Sequence, residues 1–99
     1  MQTEVLAGLF GTARHLTERG EAPRAAALYR NWLKHHQADP VGHAAYFNHG
    51  VLLSGMDDLA GAAAAFAEAI RRNAAFLPPF INLGVVYERL GATHPTLGH

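Results

Sequence analysis

Residues 48–54 read NHGVLLS, and residues 82–88 read NLGVVYE. Asn48 and Asn82 stand 34 residues apart, as do Gly50 and Gly84, and Val51 and Val85. Each stretch lies inside a segment whose apolar residues recur at helical spacing. In a chain of 99 residues, two helices worded so nearly alike make the interval between them the reading that decides the fold.

Working outward, five helical segments emerge, and no alternating β-branched run of useful length interrupts them. In the first, Val5, Leu6, Leu9, Phe10, Ala13 and Leu16 share one face, with Thr3 as N-cap and Gly20 as stop. Glu21-Ala22-Pro23 opens the second, whose stripe is Ala25, Leu28, Tyr29, Trp32 and Leu33, ending near His36. Asp39-Pro40 is the expected restart, with Asp39 as cap and Pro40 at the first helical position. The third helix carries Ala45, Tyr46, Val51, Leu52 and Leu53 and stops at Gly55. Asp57 or Asp58 caps the fourth, whose stripe is Leu59, Ala62, Ala63, Phe66, Ala69 and Ile70, with Arg71 and Arg72 at its negative pole. Leu77-Pro78-Pro79 opens the fifth, with Phe80, Leu83, Val86, Tyr87 and Leu90 turned inward and Gly91 as stop. Residues 92–99 read as a flexible tail.

Composition narrows the function classes. Eight basic residues balance eight acidic ones, which removes the electrostatic footprint of a nucleic-acid binder. No polybasic face suggests a membrane surface, and no stretch is a good membrane span. Cysteine is absent, so disulfides, thiolate metal sites and cysteine nucleophiles are excluded. Glu4 stands where a signal peptide carries positive charge. The chain reads as cytoplasmic.

A 34-residue period resembles that of the tetratricopeptide repeat, a helix–turn–helix unit that buries its apolar face only by stacking. In the middle unit Tyr46, Gly50 and Leu53, then Ala62, Phe66 and Ala69, fall at the slots of that pattern. Phe80, Leu83, Gly84 and Tyr87 repeat the first half. The first unit is more worn and carries about three extra residues before Asp39. The expected architecture is all-α, a right-handed superhelical stack of antiparallel helix pairs. It forms one domain over residues 1–91, with units at about 6–42, 43–76 and 77–91. Gly50, Ala62 and Gly84 are the expected seams, where small residues let helix axes approach to roughly 8–10 Å. The last unit lacks a second helix. Leu83, Val86 and Leu90 are expected partly on its open side, so self-association through that face is a further expectation.

The wording of "LYRNWLKHH" and of the stretch from "FNHGVLLSG" to "VVYERLG" is more specific. Across residues 28–91 it resembles the repeat region that precedes the catalytic part in bacterial SPINDLY-type, O-linked N-acetylglucosamine transferase-like proteins. That resemblance implies a substrate-binding arm without its glycosyltransferase region. It also implies that one inward asparagine per repeat holds the backbone of an extended peptide. Asn48 and Asn82 occupy that slot, and Gly11 stands at the corresponding place in the first unit.

A carboxamide both donates and accepts, so it can satisfy both groups of a peptide unit. On the stacking pattern the same groove receives Phe10, Arg14, Phe47, Val51, Ile81, Val85, Glu88 and Arg89. The expected function is protein–protein interaction, with a peptide or protein segment held in the concave groove. Equally, the two asparagines could serve only the scaffold or face water. Seven histidines invite a metal, but no His-x3-His or Glu-x-x-His spacing occurs. His49 falls near a helix crossing; buried there, it favours the neutral form and makes the fold acid-sensitive. Ser54, the only serine, has no nucleophile elbow around it. No catalytic residue, metal site or cofactor is expected.

Overall fold

The computed structural model describes residues 2–91, with side chains from residue 6 onward. The expected tail at 92–99 lies outside the described residues. The helices are α1 (Gln2–Glu18), α2 (Ala22–His35), α3 (Gly42–Gly55), α4 (Leu59–Arg72) and α5 (Pro78–Arg89). No strand occurs among the described residues.

The helix ends follow from local chemistry. Gly20 takes φ +80°, and the turn after α1 closes through Gly20 N–H to the Thr17 carbonyl and Glu21 N–H to the Leu16 carbonyl. That is the paired hydrogen bonding of a left-handed C-terminal turn. α3 ends the same way, through Asp57 N–H to Ser54 and Asp58 N–H to Leu53. α3 ends at Gly55 as expected, and Asp57, at φ +64°, is the left-handed residue of the turn that follows. Asp58 caps α4, its Oδ1 accepting from Gly61 N–H at 3.0 Å.

Two start signals are displaced. Thr3 already lies within α1 and does not precede it. α3 begins at Gly42, not at Pro40. The Asp39 carboxylate accepts from Val41 N–H at 2.9 Å, a local turn two residues long that holds Pro40 and Val41 outside the helix. Gly42 is buried, with Nη1 of Arg72 3.5 Å from the place of a Cβ.

Consecutive helices pack on one another, and the α3–α4 contact is the most extensive. α3 and α4 run antiparallel. Arg72, at the end of α4, lies over Gly42 and Tyr46 at the start of α3. A Cβ on Gly50 would lie 2.7 Å from Cε1 of Phe66, so the absence of a side chain there admits the ring. Phe66 is fully buried, worth roughly 1.5–3 kcal/mol in removed apolar surface. Two apolar clusters result. Leu6, Leu9, Ala13, Ala25, Tyr29, Trp32, Leu33 and Ala45 join α1, α2 and α3. Ala26, Leu53, Ala62, Ala65, Phe66 and Val86 join α2 to α5.

α5 departs from the sequence reading. Its buried residues are Pro79 and Val86, while Phe80 is exposed and Leu83 only half-buried. The open face is therefore Leu77, Phe80, Ile81 and Val85; of the expected Leu83, Val86 and Leu90, only Leu90 is exposed. A Cβ on Gly84 would meet nothing within 4 Å, so Gly84 is no seam among the described residues.

Two arginines join distant segments. Arg72 donates to the Gln37 carbonyl at 2.6 Å and to its Oε1 at 3.2 Å. Arg89 donates to the Ser54 carbonyl at 3.2 Å, to its Oγ at 2.9 Å and to Asp57 at 2.5 Å.

Candidate functional site

A cleft of about 750 Å³ lies between α1 and α3. From α1 it takes Ala7, Phe10, Gly11, Ala13, Arg14 and Thr17; from α3 it takes Asn48, Val51, Leu52 and Gly55, with Met56 just beyond its end; Ala22 and Tyr29 of α2 complete it. Each set follows a helical stripe: Ala7, Gly11 and Arg14 on one side, Asn48, Val51, Leu52, Gly55 and Met56 on the other. Ala7 and Gly11 leave the room that larger side chains would fill, and nothing lies within 4 Å of a Cβ on Gly11. The lining is mainly apolar, with Arg14, Thr17 and Asn48 as its polar points. The Thr17 hydroxyl donates to the Ala13 carbonyl at 2.8 Å, so its proton is already used. Arg14 is exposed and makes no ion pair with another described residue.

Of the ten groove residues read from the sequence, Phe10, Arg14, Asn48 and Val51 line this cleft. Asn48 and Asn82 are both half-buried, and neither side chain bonds to another described residue. Such a carboxamide suits a side chain that faces water as well as one that takes a ligand. Phe47 turns the other way, its ring centroid 5.8 Å from Phe66 and 5.5 Å from Phe76. It belongs to the core, drawn there by an aromatic cluster that includes a loop residue. Ile81, Val85 and Glu88 are exposed on α5 and do not line the cleft. Arg89 is held by Ser54 and Asp57. Tyr29, Leu52 and Met56 were not read as lining residues. Leu52 and Met56 continue the Asn48 stripe at helical spacing, a signal the sequence does contain.

A second cavity of about 430 Å³ lies between α2 and α4 across α3, with His49, Arg30, Tyr46, Asp58 and Glu68 among its lining. His49 is buried, and its ring stacks on Tyr29 with centroids 5.6 Å apart. Its Nε2 has no hydrogen-bond partner among the described residues. Burial, and then the charge of Arg30, hold the imidazole pKa below its usual value, with Asp58 opposing. Burial likewise pushes the Tyr29 hydroxyl up to about 12. Glu68 is held below the usual carboxylate range, first by its hydrogen bond from Arg71.

Among the described residues no three His, Asp or Glu side chains converge as a metal site. Nor is any described helix long and apolar enough to cross a membrane. No family model, no curated protein and no solved structure matches the chain.

Proposed function

We propose that the chain is a tetratricopeptide-type interaction module that binds a peptide or protein segment in the cleft between α1 and α3. The observation that carries this reading is the pairing of a roomy, mainly apolar cleft with an Asn48 carboxamide that no described residue engages. Such a site suits a segment that offers one or two apolar side chains and leaves a peptide group opposite Asn48. Arg14 favours an acidic residue in that segment. Asn82, on α5, does not line this cleft, so the site offers one free carboxamide. The narrower reading, a substrate-holding arm of a SPINDLY-type transferase, rests on the wording of residues 28–91.

Selection from a random peptide library on the immobilised chain tests this. Retained peptides should lose about tenfold in affinity on Asn48→Ala, the equivalent of one or two hydrogen bonds. A library that yields no binder, or binders indifferent to Asn48→Ala and Arg14→Ala, would reject the cleft as the site.

A further inference from the structure

α5 is apolar on two faces and covered on one. Val86 and Leu83 pack into the core with α3 and α4. Leu77, Phe80, Ile81 and Val85 recur at i, i+3, i+4 and i+8 on the other side, Ile81 being 70% and Phe80 46% exposed. A helix with apolar stripes on both sides is built to lie between two neighbours.

α3 indicates the chemistry that suits a neighbour on this face. Tyr46, Phe47 and Gly50, each 34 residues before Phe80, Ile81 and Gly84, are the positions on which α4 sits. The Phe66 ring covers Gly50 at 2.7 Å from the place of a Cβ, and Phe47 meets the same ring. The Arg72 guanidinium lies 4.8 Å over the Tyr46 ring. Ala62 and Ala69, one turn to either side of Phe66, let the helices close. On α5 the three corresponding positions are open, and nothing lies within 4 Å of a Cβ on Gly84.

We propose that this face of α5 docks one amphipathic helix of a partner polypeptide, antiparallel to α5. Along its apolar edge that helix carries a small residue, an aromatic four positions later, a small residue three further and an arginine three further still. The aromatic ring seats on Gly84 and against Ile81. The arginine crosses the Phe80 ring. Exposed Glu88 comes beside the N-terminus of the incoming helix, where a carboxylate suits the positive pole. A folded second copy does not offer this spacing at its surface. Its own segment with this spacing is α4, in which Ala62, Phe66 and Ala69 are each 0% exposed. The docking face shares no residue with the α1–α3 cleft, so each stands or falls alone.

The test is anisotropy of a fluorescein-labelled synthetic peptide reproducing residues 58–73, titrated with the full 99-residue chain. A free peptide this short pays for its own ordering, so saturation with a Kd of about 100 µM or tighter is expected. Gly84→Leu fills the seat and Ile81→Asp charges its wall. Both positions face open space, so circular dichroism should be unchanged. Each variant of the chain, and Phe66→Ala in the peptide, should weaken binding by about tenfold or more. Absence of saturable binding, or binding indifferent to both chain variants, overturns the proposal. Sedimentation of the chain alone should give a monomer. A dimer abolished by Gly84→Leu would mean that a second copy holds the face, and would overturn it too.

Discussion

Asp57 and Gly91 end α3 and α5 with the same left-handed turn, at φ +64° and +103°, and they stand 34 residues apart. Glycine adopts that conformation without strain, whereas a residue with a Cβ does so at a cost of roughly 1–2 kcal/mol, least for Asp and Asn. Asp57 also receives Arg89 from α5. Both partners of that ion pair are well exposed, so it contributes little, about 0.2–1 kcal/mol. Backbone relief and the lost pair therefore nearly cancel in Asp57→Gly, which should leave stability within about 1 kcal/mol of wild type. Asp57→Ala keeps the strain and loses the pair, and should be the less stable of the two in urea denaturation.

Acid should loosen the fold through His49. Its folded pKa is depressed, first by burial and then by Arg30. The unfolded chain therefore takes the proton more readily than the folded one. Stability from this group is complete above about pH 6.5 and falls as pH drops toward the depressed folded value. Tyr29, Arg30, Asp58 and Glu68 surround the ring or line its cavity. Glu68 acts in a lower window, because its own pKa lies below 4.5. The urea midpoint should decline between pH 7 and pH 5, and His49→Leu should flatten that decline. Equal slopes for the two proteins would remove His49 as the cause.

Arg72 should be hard to replace. Its guanidinium reaches Gln37, Glu68 and the Tyr46 face at once, joining α4 to α3 and to the loop before α3. Its side chain is only 17% exposed, and its loss removes charge-assisted hydrogen bonds to the exposed Gln37 and part-buried Glu68 together with the contact over Tyr46. Arg72→Ala should cost about 1–3 kcal/mol. Arg72→Lys should recover only part of it, since an ammonium cannot fork across three partners. Full recovery by lysine in thermal denaturation would show that charge alone matters.

Much of this fold is legible in the sequence, and what is not has identifiable physical reasons. Apolar periodicity and the caps at Gly20 and Asp58 mark the helices because each signal acts within one turn of the chain. The Gly50–Phe66 contact is likewise foreshadowed by the small and the aromatic residue at those positions of the expected 34-residue pattern. Phe47 is not legible as a core residue, because its direction depends on Phe76 in the loop before α5. Arg89 carries no mark of its attachment to Ser54, a partner 35 residues away. The cleft escapes residue-by-residue reading for a similar reason. It exists through the separation of α1 from α3, which α2 sets through Tyr29.

Gly11 offers a clean probe of that cleft. Gly11→Leu adds a side chain where nothing lies within 4 Å, and replaces a poor helix former by a good one. Stability should hold or rise by about 0.5–1 kcal/mol, while any ligand of the cleft loses its seat. Retained peptide binding at unchanged affinity would move the ligand elsewhere.

α3 and α5 carry the same glycine at the same place, sealed by Phe66 in one and open in the other. The most direct measurement is urea denaturation of Gly50→Ala beside Gly84→Ala. At Gly50 the new methyl drives into a fully buried ring and should cost about 1–3 kcal/mol. At Gly84 it meets open space and should add about 0.5–1 kcal/mol of helix propensity. Opposite signs are the expected result; a loss at Gly84 comparable to that at Gly50 would contradict it.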